Sequence, residues 1–200
     1  SFVGFPVLIA LFGEEGLKIG VIIDQAGSFL VLATIGVIVA STYSNGTYSA
    51  KKITADIFKY PPFYAFIISL IMIALGIKHN HVSSEIFSKL GNPTIVLALI
   101  SVGMQLKPKV DGMFRKELIT GLTYKLIIAP ALVFLIGYYI FKSNGLPFQV
   151  SVIESSMPPM VMGSVLAVQF NLNPRLANFM VGIGIPVSAA TLALWWWVIR

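Results

Sequence analysis

FQVSVIESSMPPMVMGSVLAVQFN (Phe148–Asn171) is apolar and long enough to cross a bilayer, yet two adjacent prolines, Pro158 and Pro159, stand at its middle. Proline removes a backbone donor and clashes with the turn before it, and it pushes the preceding residue out of helical geometry. Two in succession predict half-helices of about nine and eleven residues rather than one span. In lipid, such a break is tolerated only where it is packed in protein or lines a watery cavity. A proline kink in a continuous helix is the plainer alternative. Glu154, Ser155 and Ser156 beside the prolines favour a functional discontinuity. Ser155, Ser156, Met157, Pro158 and Pro159 are therefore candidate substrate-binding residues.

The rest of the chain has the same character. Hydrophobic residues make up 56% and charged residues only 11% of the sequence, with a mean hydropathy of +0.87. A soluble domain needs about a quarter of its residues charged. There is no cysteine, which excludes disulfides, thiolate zinc sites and thiol catalysis. The net charge of +6 is spread as single or paired Lys and Arg between apolar runs, a pattern that suits loops at an anionic bilayer surface and not nucleic acid.

Apolar spans are predicted over residues 17–41, 61–77, 93–106, 118–141, 149–170 and 176–199. Before them, Ser1–Phe12 ends at Gly13-Glu14-Glu15-Gly16. Twelve helical residues cover only about 18 Å, and neither a basic leader nor a cleavage site precedes them. The expectation is a fragment whose first helix begins upstream of Ser1. Pro6, close behind Gly4, is the candidate counterpart of the Pro158-Pro159 break, because each is followed by an apolar stretch, a polar turn and a long span.

Alternating the boundaries puts Lys51, Lys52, Lys59, Lys107, Lys109, Arg115, Lys116 and Arg175 on one side. Lys18, Lys78, Lys89, Lys142 and Arg200 fall on the other. The bias predicts cytoplasmic 42–60 and 107–117 loops and an external C-terminus in a multi-pass protein of the plasma or inner membrane. Tyr60, Phe63 and Tyr64, then Tyr138, Tyr139 and Phe141, and finally Trp195-Trp196-Trp197 are expected as interfacial anchors. Ala50–Tyr60 (AKKITADIFKY) reads as an amphipathic surface helix joining two halves.

Asp24, Lys125 and Glu154 fall inside predicted spans. Each costs roughly 2.5–3.5 kcal/mol at mid-membrane, so such residues usually pair, face the interior and serve function. Glu154 lies near the C-terminal end of the first half-helix, where the helix dipole and burial both disfavour a charged carboxylate. It is a candidate proton carrier, with an ion pair to Lys125 as the alternative. Lys125 has two further readings, attraction of an anionic substrate and snorkelling to the interface. Asp24 is either a coupling group or a helix-interface hydrogen-bonder. The second half-helix offers its amide N–H groups and positive dipole end to a carboxylate.

Several stretches resemble the auxin efflux carrier family, in order and along essentially the whole chain. SFVGFPVLIALFGEEG (1–16) is similar to the family's fourth segment, with its Gly-x-Pro motif, and LISVGMQLKPKV (99–110) to its seventh. YKLIIAPAL (124–132) matches a basic residue placed five positions before a proline. ESSMPPMVMGSVLAVQFNLNP (154–174) resembles the ninth segment and its Asn/His-Pro exit. The resemblance implies an all-α polytopic transmembrane helical bundle with broken crossover helices, an inverted-repeat transporter fold related to bile acid:sodium symporters. It implies that segments one to three, and the Asn that precedes the first crossover proline, are missing here. Residues 1–41 would then end the first repeat, 42–60 form the cytoplasmic connector and 61–200 the second five-helix repeat. Gly4 and Pro6 join residues 155–159 in the substrate site that the resemblance implies.

Other motifs carry little. His79 and His81 fall in a predicted outer loop and are not expected to form a metal site, and the Asn45-Gly46-Thr47 sequon falls on the cytoplasmic side. Gly182, Gly184 and Pro186 suit helix packing. No nucleophile–base set, nucleotide loop or metalloprotease motif is present, so no enzyme, cofactor or metal is expected. The reading is a secondary transporter moving a small organic anion by alternating access, and efflux of a weak carboxylic acid is what the family resemblance implies. A channel or substrate-sensing receptor on the same fold is the alternative. The partners expected are the lipid bilayer, the organic anion and a proton or sodium as coupling ion. A homodimer is an assembly left open.

Overall fold

A computed structural model of the protein describes residues 3–45, 61–77, 82–87, 89–90, 93, 97, 100, 104 and 114–200, and these contain no strand. The chain opens with α1 (Gly4–Ile22). Pro6 falls in its first turn, where a missing N–H removes no helical bond. The interruption comes at Gly13, whose φ of 66° and ψ of −160° lie in a region essentially restricted to glycine. There the chain folds back so sharply that Leu8 packs directly on Gly20, positions about 18 Å apart along a straight helix. The polar turn expected over residues 13–16 is thus a one-residue corner, with helix resuming at Glu14.

From that corner the chain runs through two π-helical stretches, Ile23–Phe29 and Leu32–Gly36, into α2 (Val37–Asn45). Next comes α3 (Pro61–Ala74). The expected amphipathic helix over 50–60, the two histidines and most of the 93–106 span lie outside the described residues.

The following span is α4 (Arg115–Thr123), a π-helical turn (Tyr124–Ile128), α5 (Ala129–Leu135) and a second π-helical turn (Ile136–Ile140). Pro130 lies early in α5. It has no N–H to give the carbonyl one turn behind it, that of Leu126. That carbonyl instead accepts the indole N–H of Trp195 at 3.1 Å. The aromatic triplet is therefore not a uniform interfacial belt. Trp195 is buried, Trp196 meets Phe12 edge-on at 5.2 Å between ring centroids, and only Trp197 is strongly exposed.

Three helices complete the chain: α6 (Leu146–Ser155), α7 (Val161–Gln169) and α8 (Pro174–Ile199). Asn173 caps α8 by accepting the Leu176 N–H at 3.1 Å, with Pro174 in the first turn. Among the described residues, Gly4–Ser44, Arg115–Ile140 and Pro174–Ile199 are the helical stretches long and apolar enough to cross a membrane. Because of the Gly13 corner, the crossing part of the first starts at residue 14, leaving about 46 Å of helix.

Packing divides at the broken segment. On one side Leu8 of α1 joins Val150 and Ile153 of α6 and Leu192, Trp195 and Ile199 of α8 in a single core. On the other, α7 places Leu166 and Phe170 against Ala33, Val37 and Ala40, while Leu118, Leu122 and Leu126 pack on Phe179. Outward-facing Ile35, Leu135 and Leu194 stand exposed, as a surface solvated by lipid requires.

Candidate functional site

The double proline interrupts the helix as its chemistry dictates. Residues 156–160 are non-helical, and Met160 is extended at φ −65° and ψ 133° before α7 begins. The half-helices are 10 and 9 residues long, close to the expected lengths. Tight seating against α8 holds the break: a Cβ added to Gly184 would stand 2.8 Å from Cδ of Pro159 and 3.2 Å from Leu122. Gly184 thus serves close packing, as the sequence suggests.

A cavity of about 720 Å³ opens beside the break. Pro158, Pro159 and Met160–Met162 form one wall, and Val3 and Phe5 at the start of α1 form another. The remaining wall comes from the π-helical stretch around Asp24, from Ala65–Ile73 of α3 and from Ile185. The N-terminal ends of α1 and α7 therefore meet at one cavity, and neither has a side-chain cap. The positive end of each helix dipole thus stands at that space.

Of the residues singled out from the sequence, Pro158, Pro159 and Asp24 reach the cavity wall. Gly4 is buried and Pro6 exposed in the first turn of α1, beside the lining residues Val3 and Phe5. Ser155 ends α6 and Ser156 and Met157 begin the break, and none of the three is among the described cavity-lining residues. The Ser155 and Ser156 hydroxyls both donate back to carbonyls of α6 at 2.7 Å. Met157 is buried in the core that α6 shares with α1.

The three intramembrane charges converge on the break. Lys125 donates to the Ser155 carbonyl at 2.9 Å, so its ammonium closes the C-terminal end of α6, where the dipole favours a cation. It does so in place of a direct bond to the Glu154 carboxylate. Glu154 is buried, and its Oε2 has no hydrogen-bond partner among the described residues. Both Lys125 and Asp24 act on it electrostatically. Asp24, 4% exposed, receives a long hydrogen bond of 3.4 Å from Gln25. It is the sole charged side chain among the described cavity-lining residues.

Sequence reasoning missed Met160, Val161 and Met162 as lining residues, because apolar side chains after a proline carry no signal of their own. It also missed the Trp195–Leu126 bond, although the Pro130 that frees the carbonyl was in plain view.

An all-α bundle of membrane-spanning helices with a cavity at a broken helix is the architecture of a membrane transporter. A family model described as "Membrane transport protein" matches residues 1–196. The chain belongs to that family, which is the auxin efflux carrier family its motifs resemble. It is similar to an uncharacterized transporter of Methanocaldococcus jannaschii, with 32% identity over 100% of this chain and 64% of the relative. An uncharacterized transporter of Methanothermobacter thermautotrophicus is 28% identical over 98% of this chain and 63% of its own length. The chain thus spans a little under two thirds of the curated relatives it matches.

Proposed function

We propose that the chain forms the crossover region of a secondary transporter that exports a small organic anion, such as a weak carboxylic acid, by alternating access. One observation carries the reading: two uncapped helix N-termini, those of α1 and α7, border the same cavity as the double-proline break. Two positive dipole ends at one cavity form a natural seat for a carboxylate. The apolar walls around them suit the body of an organic acid.

The proposed organisation is a pair of inverted repeats, with residues 1–41 ending the first, 42–60 connecting and 61–200 forming the second. Its support is an echo in the geometry. The first arm of α1 (residues 4–12) and α7 each start at the cavity and end near a residue of positive φ, Gly13 or Asn171, before a long helix. Broken helices of this kind recur in transporters built from inverted repeats. Glu154 is the proposed proton carrier, supported by its burial and its unpaired Oε2 beside the break. Asp24 lies within its electrostatic reach, and Lys125 fixes the adjacent helix end.

The test is flux through the intact transporter in proteoliposomes, with a panel of mono- and dicarboxylates and imposed pH or sodium gradients. Accelerated, saturable movement of a carboxylate driven by a pH gradient is the expected result. Ohmic conduction without saturation, or binding without flux, would replace the carrier with a channel or a receptor.

A further inference from the structure

We propose that Asp24 is the proton entry residue of this site, taking a proton from water in the cavity and passing it to Glu154. The inference rests on the reading of Glu154 as the proton carrier and asks how a proton reaches it. Glu154 is buried and is absent from the described cavity-lining residues. Asp24 is in the wall, and its field acts on Glu154. The stretch that carries it packs on α6, where Ile23 joins the core formed by Ile153 and Met157.

Asp24 also belongs to a π-helical stretch, Ile23–Phe29. Such insertions re-aim side chains and are frequent at functional sites. The unpaired Oε2 of Glu154 supplies the vacant acceptor on the receiving side. In the transfer, the Asp24 carboxylic acid gives its proton to the Glu154 carboxylate. Asp24 is left as a carboxylate, which water in the cavity reprotonates.

The charged groups around the pair define its setting. Lys125 faces Glu154 from the α4–α5 span, with its ammonium on the Ser155 carbonyl. α7 carries no charge, and the described cavity-lining residues of α3 carry none. The charged residues of α8 and its end, Arg175 and Arg200, stand at opposite extremities, while Glu14, Glu15 and Lys18 of α1 are exposed near the Gly13 corner.

Infrared spectroscopy of the intact transporter in lipid vesicles tests the relay with water alone as the probe. The protonated Glu154 carboxyl is identified as the C=O band that Glu154→Gln removes. Its hydrogen–deuterium exchange is then timed after a jump into D2O. Asp24→Asn should slow that exchange by about a hundredfold, the lower end of what a positioned proton-transfer group contributes. Asp24→Glu should restore it. Asp24→Leu, close in size and tolerated in hydrocarbon, gives the same comparison should the Asn variant fold poorly. Unchanged exchange in a folded Asp24→Asn or Asp24→Leu protein, with the Glu154 band still present, overturns the relay alone. A Glu154 band missing at every pH overturns the proton-carrier reading together with it.

Discussion

Glu154 and Lys125 sit side by side in the membrane without bonding to each other, and that separates their expected phenotypes. Lys125 gives its hydrogen bond to the Ser155 carbonyl. Lys125→Met therefore strips a buried helix end of its donor, at a cost of about 1–3 kcal/mol. The melting temperature of the detergent-solubilised protein should fall accordingly. Glu154→Gln keeps the shape of the side chain and mimics only its protonated state. Stability should hold, while transport loses its dependence on the pH gradient, read by flux at matched and opposed pH. A direct ion pair would behave otherwise. Glu154→Gln would then destabilise by about 3–5 kcal/mol, and adding Lys125→Met would restore the melting temperature. Restoration in the double variant would count against the geometry at Ser155. Here the sequence was half legible: it placed both charges in spans near the break, but a side chain's choice between a carboxylate and a neighbouring carbonyl depends on helix rotation that no spacing encodes.

At the scale of elements, the two breaks are made differently. Pro158-Pro159 ends a helix by removing donors, which is why it could be read directly from the chain. Gly13 turns the chain by adopting a conformation that other residues resist, and a glycine among polar neighbours announces only a turn. Gly13→Ala should cost about 1–3 kcal/mol through backbone strain, since a Cβ there meets no neighbouring atom within 4 Å. Gly184→Ala should act by contact instead, driving a methyl into the rigid Pro159 ring at a similar cost of about 1–3 kcal/mol. Because that ring belongs to the cavity wall, Gly184→Ala should also depress flux more than its loss of melting temperature explains. Gly13→Ala, away from the described wall, should depress flux only in step with stability. Equal flux-to-stability ratios for the two variants would show that Gly184 does not set the shape of the break.

At the scale of the whole molecule, hydropathy was enough for the fold class and for the three long membrane-crossing helices seen among the described residues. The paired helix ends at one cavity were not legible, because they join residues near position 3 to residues near position 160. Topology can be checked cheaply because the sequence has no cysteine. The charge bias predicts that Arg200→Cys reacts with a membrane-impermeant maleimide from outside intact cells, whereas Arg175→Cys reacts only after permeabilisation. The reverse pattern would invert the orientation and, with it, the side toward which α7 runs from the cavity.

The indole bridge from Trp195 to Leu126 reaches beyond local satisfaction. A carbonyl released by Pro130 inside hydrocarbon has no water to fall back on, so its donor must remain in register. Sliding α8 by one turn along the α4–α5 span would strand that carbonyl at a cost of several kcal/mol. These two spans are thereby pinned to each other like parts joined by a dowel. The motion of the proposed transport cycle then has to be taken up outside the contact between these two spans.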